Sequence, residues 1–425
     1  MIAKISPARL SGNIEIPCSK SDAHRALIAA ALCKTATEIN LSGMSADILA
    51  TVRCLISLGA NFSEATKTRF YMSPVSRREM PRSPLLDCGE SGTTLRLLLP
   101  VAAALGGEAR FTGHGRLPER PLVELLAVME ANGSKTSNPA LPFSVSGKLT
   151  PGTFSLPGNV SSQYISGLLF ALALLDGNSC IDITTKLESA AYVAMTVNTL
   201  KAFGITVTKT ENGYSVAGGQ SYTSPGVYTV EGDWSNAAFF MASGALGGNI
   251  TVTGLAQDSL QSDRAFCDIL RRFGAQVTQT ASSVTVTGGG LRGIDIDVSD
   301  VPDLFPVLAV VASGASGTTR LLNAARLRIK ESDRIHAVTE MLTNLGADVQ
   351  EQPDSLIIQG KQTLNGGNVD GKNDHRIVMA ASIASILCGN QVTVSGAEAV
   401  TKSYPEFFRD FNRLGGNADV INVRN

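Results

Sequence analysis

The segment NTLKAFGITV (198–207) indicates the fold class, because related segments recur along the whole chain. In each of them a helix-compatible stretch ends in glycine, and residues with strand propensity follow. Glycine is the residue expected just after a helix C-terminus, where the backbone needs a positive φ. The six segments are RCLISLGANF (53–62), AVMEANGSK (127–135), NTLKAFGITV (198–207), ILRRFGAQV (269–277), EMLTNLGADV (340–349) and DFNRLGGNA (410–418).

The glycines of these segments have a regular spacing. Successive glycines are separated by 74, 71, 70, 72 and 69 residues, so six units of about 71 residues account for a chain of 425. This period is longer than the roughly 20–45 residues of solenoid repeats. We therefore expect six small α/β units.

A second landmark has the same period. Six apolar segments are each opened by a short polar cluster, and these openings begin near Ser21, Ser91, Ser162, Asp233, Asp303 and Asp374. Serine and aspartate are preferred helix N-caps, and the segments after them are too apolar for a surface. We predict six buried helices, each in a unit of the order strand, buried helix, strand, amphipathic helix, strand, strand.

Length and composition limit the class of protein. A chain of 425 residues exceeds one ordinary core, so two domains are expected. A net charge of -1 gives no support to nucleic-acid or membrane partners. Seven scattered cysteines lack the spacing of zinc ligands and indicate free thiols. Pairs such as Asp374–His375 also lack metal-ligand spacing, so we predict no metal, and we predict no cofactor. Without a signal peptide or an apolar run of about 18 residues, the expected location is the cytoplasm.

The openings are the candidate site. A helix start presents unpaired N–H groups and about half a positive charge, which favours anions. Five openings carry reactive side chains, whereas the fourth, GDWSN (232–236), looks structural. The cations in or between the openings are Lys20, Arg25, Arg96, Arg120, Lys330, Arg334, Arg376 and Lys402. Arginine and lysine in this number predict small, multiply anionic and phosphorylated substrates.

Eight motifs resemble one known family over the full length and in the same order. They are SKSxxxR (19–25), SGTTLR (91–96), LPERP (117–121), SSQ (161–163), PD (302–303), RIKESDR (328–334), NDHR (373–376) and KSYP (402–405). This set resembles the 5-enolpyruvylshikimate-3-phosphate synthase family of enolpyruvyl transferases. SSQ, KESDR and NDHR are its most specific parts.

The resemblance implies a fold. Members are two-domain inside-out α/β barrels with six βαβαββ repeats, three per domain, and the domains close over the substrates. Two crossings of the chain would here give one domain of residues 1–18 plus 231–425 and another of residues 19–230.

The resemblance also implies an activity. Members transfer the enolpyruvyl (1-carboxyvinyl) group of phosphoenolpyruvate to the 5-hydroxyl of shikimate 3-phosphate and release phosphate, through a tetrahedral intermediate. This step belongs to the shikimate pathway, which leads to chorismate and the aromatic amino acids. A monomer is implied, and glyphosate is expected to compete with phosphoenolpyruvate.

Site residues follow from the matched motifs. The catalytic residues implied are Lys20, Asp303 and Glu331. Shikimate 3-phosphate would be bound by Lys20, Ser21, Arg25, Ser161, Ser162, Gln163, Ser189, Tyr192, Asp303 and Lys330. Phosphoenolpyruvate would be bound by Lys20, Gly92, Arg120, Gln163, Arg334, Arg376 and Lys402.

The sequence departs from the family pattern in three places. Cys18 stands where glycine usually precedes the Ser-Lys pair, and Ala190–Ala191 replace a frequent Lys-Pro. Arg326 stands where several members have a phosphate-site asparagine. We leave Arg326 outside the predicted site.

Two other readings remain to be tested. A sister transferase acts on UDP-N-acetylglucosamine, but it has Lys-Asn at the place of Lys20–Ser21 and a cysteine in the loop that is GHGRLPER (113–120) here. A non-catalytic phosphometabolite-binding protein would keep the cations and lose carboxylates such as Asp303 and Glu331. Phosphate release with each acceptor distinguishes the three.

Overall fold

A computed structural model describes residues 1–76 and 80–422, and the chain divides into two compact units. Unit 1 comprises Met1–Pro17 and Glu231–Asn425, and unit 2 comprises Cys18–Val230. The predicted domain spans also include 77–79 and 423–425, which lie outside the described residues.

The secondary structure alternates between strands and helices along the whole described chain. The strands are β1 (Ile2–Ser6), β2 (Ser11–Glu15), β3 (Thr37–Asn40), β4 (Asn61–Thr66), β5 (Arg69–Ser73), β6 (Leu85–Asp87), β7 (Ala109–Thr112), β8 (Ser134–Thr136), β9 (Phe143–Gly147), β10 (Thr153–Leu156), β11 (Ser179–Ile183), β12 (Val207–Thr210), β13 (Gly213–Val216), β14 (Val227–Thr229), β15 (Asn249–Thr253), β16 (Gln276–Gln279), β17 (Ser283–Thr287), β18 (Asp295–Asp297), β19 (Thr318–Leu322), β20 (Asp348–Glu351), β21 (Leu356–Gln359), β22 (Gly367–Asp370), β23 (Val392–Ser395) and β24 (Asn417–Ile421). The α-helices are α1 (Lys20–Ala31), α2 (Ala46–Ser57), α3 (Gly92–Leu105), α4 (Val123–Ala131), α5 (Ser162–Leu172), α6 (Ala190–Ala202), α7 (Trp234–Ala245), α8 (Phe266–Phe273), α9 (Phe305–Ser313), α10 (Arg334–Asn344), α11 (His375–Ala384) and α12 (Phe407–Arg413).

The strands form small sheets, one for each repeat. In unit 2 the strand orders are β14-β3-β5-β4, β6-β7-β9-β8 and β10-β11-β13-β12, and in unit 1 they are β16-β17-β15-β2, β18-β19-β21-β20 and β22-β23-β1-β24. Each sheet has one parallel pair followed by two antiparallel pairs. This is the predicted βαβαββ order, and the α/β fold class is confirmed.

Three strands pair far from their sequence neighbours. β2 directly precedes α1, yet it pairs in parallel with β15 of unit 1. β14 directly precedes α7, yet it pairs in parallel with β3 of unit 2. β1 completes the sixth sheet between β23 and β24, with Ile2 opposite Ile421. At each of the two chain crossings, the strand before the crossing therefore completes the sheet of a repeat other than the one whose helix follows it.

The apolar helices form the cores, as predicted. In unit 1, every residue of α7, α9 and α11 is buried, and these three helices contact one another. In unit 2, α5 packs on α3 at short range, because a Cβ at Gly167 would lie 2.2 Å from Arg96 O. Glycine at position 167 is what allows this approach.

The helix ends follow the predicted residue types. The glycines that close the amphipathic helices all have positive φ, at Gly59, Gly133, Gly204, Gly274, Gly346 and Gly415. The side chains that cap the buried helices belong to Ser19, Ser91, Ser161, Asp233 and Asp374. Asp303 is an exception, since it lies in a 3-10 turn (Pro302–Leu304) before α9 and makes no side-chain cap. In the described part of the chain no helix is long and apolar enough to cross a bilayer.

Candidate active site

The predicted site residues lie in two clusters, one in each unit. The Lys20 cluster of unit 2 contains Lys20, Ser21, Arg25, Gly92, Arg120, Ser161, Ser162, Gln163, Ser189 and Tyr192. The Asp303 cluster of unit 1 contains Asp303, Lys330, Glu331, Arg334, Arg376 and Lys402. The Lys20 cluster includes the starts of α1, α3 and α5, and the Asp303 cluster includes residues at the starts of α9 and α11.

Lys20 is the first residue of α1, directly after the capping residue Ser19. Its Nζ lies 2.8 Å from Asp47 Oδ2 in the first turn of α2. This carboxylate neutralises the ammonium while it holds the side chain at the helix start. Sequence reasoning missed Asp47, because an acidic residue in the first turn of an amphipathic helix is ordinary.

Arg25 is buried and joins two predicted substrate-binding segments. Its Nη1 donates to Ser21 O at 2.6 Å, and its Nη2 donates to Tyr192 O at 2.9 Å. Its Nε donates to Thr196 Oγ1 at 2.8 Å. Burial lowers the pKa of Arg25 to about 10, with nearby Asp22 opposing the shift. The guanidinium therefore stays charged at neutral pH.

Gln163 connects the start of α5 to the start of α3. Its Nε2 donates to Thr93 Oγ1 at 2.8 Å, and its Oε1 accepts from Arg96 Nη1 at 3.0 Å. Gln163 N–H is capped by Ser161 Oγ at 3.3 Å. The SSQ motif thus places its hydroxyls and its amide at the start of α5, next to the start of α3.

Gly92 and Arg120 are brought into contact. A Cβ built at Gly92 would lie 2.5 Å from Arg120 Nη1. The guanidinium can therefore lie against the first turn of α3 only because residue 92 has no side chain. The N–H groups of this turn and the Arg120 charge together favour an anion.

Ser189 has a strained backbone. It precedes α6 with φ 54 and ψ 41, the left-handed region that non-glycine residues rarely adopt, and it is 2 % exposed. Strained residues of this kind are concentrated at functional sites. The neighbouring Tyr192 lies in the first turn of α6.

Arg334 organises the Asp303 cluster. It is 1 % exposed, and each of its three nitrogens is paired with a carboxylate. Nη1 lies 2.7 Å from Asp303 Oδ1, Nη2 lies 2.8 Å from Glu331 Oε2, and Nε lies 2.9 Å from Asp374 Oδ2. These three carboxylates raise the pKa of Arg334 against the opposing effect of burial. One guanidinium therefore holds both predicted catalytic carboxylates.

Asp303 is ionised at neutral pH. Burial opposes its ionisation, but the positive charges of Arg376, Lys330 and Arg334 outweigh burial and hold the pKa of Asp303 well below its usual range. Arg376 Nη2 lies 3.1 Å from Asp303 Oδ2, and Arg376 Nη1 donates to Asp303 O at 3.2 Å. The Asp303 carboxylate thus accepts a hydrogen bond from Arg334 and forms an ion pair with Arg376.

Lys330 has an unusual ammonium group. Burial lowers its pKa to about 7, and Arg326 and Arg334 add to this shift while Asp303 and Glu331 oppose it. The amine therefore changes charge near neutral pH. Arg326, which lies outside the predicted site, acts on Lys330 through its charge.

Lys402 and Asn373 mark the start of α11. Lys402 Nζ donates to Asn373 O at 2.5 Å. Asn373 and Lys372 are consecutive residues with φ of 50 and 51, both in the left-handed region. The NDHR motif therefore begins in a strained turn that presents a backbone carbonyl to Lys402.

A buried carboxyl lies next to the fourth opening. Ser235 Oγ donates to Asp263 Oδ2, and Asp263 is 1 % exposed. Burial raises the pKa of Asp263 to about 7, the charge of Asp303 raises it further, and Arg376 opposes the shift. The opening that looked structural is thus in electrostatic contact with the Asp303 cluster. No motif pointed to Asp263, because it lies between the repeated landmarks.

Comparison with known proteins identifies the family of this chain. The family model for EPSP synthase (3-phosphoshikimate 1-carboxyvinyltransferase) matches residues 5–411. A 3-phosphoshikimate 1-carboxyvinyltransferase of Clostridium novyi is 44% identical over 98% of each chain, and one of Clostridium kluyveri is 44% identical over 99% of this chain and 98% of its own. An EPSP synthase structure from Acinetobacter baumannii has a TM-score of 0.83 and 27% identity, covering 99% of this chain and 100% of its own. The enolpyruvyl transferase NikO from Streptomyces tendae has a TM-score of 0.81 and 20% identity over 98% of each chain, and shows the same fold.

The fold and its cation-rich helix starts define the class of protein as the enolpyruvyl transferases. Within this class the chain belongs to the EPSP synthase (3-phosphoshikimate 1-carboxyvinyltransferase) family. It is a transferase of the shikimate pathway, and it moves the enolpyruvyl group of phosphoenolpyruvate to shikimate 3-phosphate.

Proposed function

We propose that the Lys20 and Asp303 clusters are the substrate-binding and catalytic groups of this transferase. The observation that carries the proposal is the pairing of Asp303 and Glu331 with the two terminal nitrogens of Arg334. Enolpyruvyl transfer needs one group to accept a hydroxyl proton and one to deliver a proton to carbon. Two carboxylates beside several cations supply both functions where anionic substrates bind.

Shikimate 3-phosphate is assigned mainly to the Lys20 cluster. Its proposed ligands there are Lys20, Ser21, Arg25, Ser161, Ser162, Gln163, Ser189 and Tyr192, and in the Asp303 cluster they are Asp303 and Lys330. Hydroxyls and the Gln163 amide suit the hydroxyl groups of the substrate, whereas Lys20, Arg25 and Lys330 suit its phosphate and carboxylate.

Phosphoenolpyruvate is assigned to arginine, lysine and exposed backbone N–H groups. The proposed ligands are Lys20, Gly92, Arg120, Gln163, Arg334, Arg376 and Lys402. Phosphoenolpyruvate carries a carboxylate and a phosphate on three carbons, so several cations are needed to offset its charge. It would compete with the Asp303 contacts of Arg334 and Arg376.

The chemistry follows from these assignments. The 5-hydroxyl oxygen of shikimate 3-phosphate bonds to C2 of phosphoenolpyruvate, while the hydroxyl loses its proton and C3 gains one. The tetrahedral intermediate then expels phosphate and loses a proton from C3, which restores the double bond. Asp303 and Glu331 exchange these protons. Lys20 stabilises the negative charge that develops on the substrate oxygens during the reaction.

We assign the two compact units to the two domains of the family, with three repeats in each, and we propose a monomeric, cytoplasmic enzyme. The resemblance to the family supports these assignments. Light scattering of the purified protein tests the monomer, because a dimer would have twice the mass of the 44.5 kDa chain.

The deciding experiment is phosphate release from phosphoenolpyruvate by the purified chain. We expect release with shikimate 3-phosphate and none with UDP-N-acetylglucosamine or without an acceptor. Release with the nucleotide sugar would assign the chain to the sister transferase. Binding of both substrates without release would make the chain a phosphometabolite-binding protein.

Glyphosate is the proposed competitor of phosphoenolpyruvate, since it is also a small anion with a phosphonate and a carboxylate. The expected result is an apparent KM for phosphoenolpyruvate that rises with glyphosate while kcat stays constant. Inhibition that more phosphoenolpyruvate does not relieve would contradict this assignment.

A further inference from the structure

A chain of buried hydrogen bonds connects three helices of unit 2. His24 Nδ1 on α1 lies 2.7 Å from Thr51 Oγ1 on α2, and Thr51 Oγ1 lies 2.7 Å from Thr94 Oγ1 on α3. Thr94 Oγ1 donates to Ser91 Oγ at 2.8 Å. His24, Thr51 and Thr94 are 0 % exposed, and Ser91 is 1 % exposed. The proposed transfer reaction assigns no function to His24, Thr51 or Thr94.

The bonds of this chain have one consistent direction. Thr94 Oγ1 directs its hydroxyl proton to Ser91 Oγ at 2.8 Å, with Asp47 O a more distant acceptor at 3.5 Å. It therefore accepts from Thr51, and Thr51 in turn accepts from His24. His24 is therefore the Nδ1–H tautomer, and its Nε2 has no hydrogen-bond partner among the described residues. Burial, and then the charges of Lys20 and Arg25, hold the pKa of His24 well below its ordinary value, so the ring stays neutral.

Both ends of the chain reach proposed substrate ligands. His24 lies one helical turn after Lys20 on α1, and Thr51 lies one turn after Asp47 on α2, so the Lys20–Asp47 ion pair and the His24–Thr51 bond are stacked between the same helices. At the other end Ser91 Oγ accepts from Thr94 N–H at 3.1 Å and caps α3, whose first residue is Gly92.

The position of the α3 start matters because Arg120 lies against it. The contact between Gly92 and Arg120 leaves no room for one methyl group. A displacement of the first turn of α3 would therefore displace the guanidinium, the backbone N–H groups or both. Hydrogen bonds in a low-dielectric interior are directional and strong, so they hold this spacing more closely than apolar contacts do.

We propose that His24, Thr51 and Thr94 are positioning residues for the transfer reaction, which hold the Gly92 end of α3 at a set distance from the Lys20 end of α1. The proposal rests on the proposed function, in which Lys20, Gly92 and Arg120 bind phosphoenolpyruvate. It predicts that loss of the hydrogen-bond chain affects phosphoenolpyruvate more than shikimate 3-phosphate, since Gly92 at the start of α3 and the adjoining Arg120 are assigned to phosphoenolpyruvate alone.

The test replaces one hydroxyl with a methyl group of similar size. Thr51→Val is expected to raise KM for phosphoenolpyruvate by about tenfold, since a displaced α3 start would weaken one charge-assisted contact to this substrate. KM for shikimate 3-phosphate is expected to change by less than about threefold. The double variant of Thr51→Val with Thr94→Val should be no worse than the poorer single variant, because both break one network.

The matched control is Thr199→Val. Thr199 is 1 % exposed in α6 of the same unit, and its hydroxyl donates only to Met195 O of its own helix, at 3.0 Å. This variant should lose a similar amount of thermal stability and keep both KM values. If Thr51→Val also lowers Tm and leaves KM for phosphoenolpyruvate unchanged, the network is merely structural and the proposal is wrong.

Two amide variants of His24 give an independent test if Thr51→Val does not fold. Asparagine can place a donor near the position of Nδ1, whereas glutamine places it near Nε2. His24→Asn should retain a KM for phosphoenolpyruvate close to that of the unmodified protein, and His24→Gln should raise it. Equal KM values for the two variants would overturn the proposal. A failure of the proposed function is distinguishable, because the unmodified protein would then release no phosphate.

Discussion

Arg334 Nη1 donates to Asp303 Oδ1 at 2.7 Å, and the two residues are 31 positions apart in the sequence. The same guanidinium holds Glu331 at 2.8 Å and Asp374 at 2.9 Å. Loss of this buried cation would leave negative charge uncompensated, because three carboxylates share it. Binding and stability are therefore coupled at this residue.

Arg334→Lys is expected to destabilise the protein and to slow the reaction. An ammonium cannot occupy the three directions of a guanidinium, so at least one buried carboxylate loses its partner. We expect a loss of about 3 kcal/mol in the free energy of unfolding by urea. Arg271→Lys, at an exposed pair with Asp268, is the control and should cost less than about 1 kcal/mol. Equal losses for the two variants would contradict the role of Arg334.

Glu331→Gln is expected to reduce kcat far more than it raises either KM. Glutamine keeps the size of the side chain and its bond to Arg334 but cannot exchange a proton. A loss of about 100-fold or more in kcat is expected for a proton-transfer group. Steady-state kinetics with both substrates measures it. If only KM changes, Glu331 binds substrate and does not take part in proton transfer.

Asp303→Ala with near-full turnover would likewise remove Asp303 from the mechanism.

The charge of Lys330 should give a pH-dependent affinity for shikimate 3-phosphate. With a pKa of about 7, the amine is charged below neutral pH and loses its proton above it. The substrate phosphate is fully ionised above pH 7. KM for shikimate 3-phosphate should therefore rise by about tenfold between pH 7 and pH 9. Lys330→Gln should give a high KM that does not change over this range. A flat profile for the unmodified protein would refute the assignment.

Asp263→Asn should stabilise the protein more at high pH than at low pH. The folded protein keeps the Asp263 proton up to about pH 7, whereas an unfolded chain loses it near 3.8. The unfolded state therefore binds fewer protons between these values, and stability falls as pH rises through them. The gain from asparagine should be larger at pH 8 than at pH 5 by about 2 kcal/mol. Asp268→Asn, at an exposed carboxylate, is the control and should show no such difference.

Gly92→Ala is expected to weaken phosphoenolpyruvate binding. The new methyl group would lie 2.5 Å from Arg120 Nη1, so the guanidinium must move away from the start of α3. KM for phosphoenolpyruvate should rise by about tenfold or more, with a smaller effect on shikimate 3-phosphate. Gly290→Ala is the control, because a methyl group there meets nothing within 4 Å. An unchanged KM would show that Arg120 does not bind phosphoenolpyruvate from its present position.

Much of the fold could be predicted because the repeat has a local signature. The glycine at each helix end and the polar opening of each apolar helix depend on neighbouring residues only, and both recur about every 71 residues. The helix caps were accordingly close to their predicted places. Asp303 differs, because its side chain joins Arg334 and Arg376 and does not cap α9.

The six α/β repeats and their buried helices follow from the sequence alone, and the family motifs give the set of candidate ligands. The partners that meet in the folded chain are known from the structure alone. It placed β2 with β15 and β14 with β3, joined Lys20 to Asp47, linked His24 to Ser91 through two threonines, and gave three carboxylates to Arg334. The difference lies in how far apart in the sequence the contacting residues are. Helix periodicity and caps report contacts within a few residues, whereas most of these pairings, such as Lys20 with Asp47 and His24 with Thr51, join residues 27 or more positions apart for which no local pattern exists.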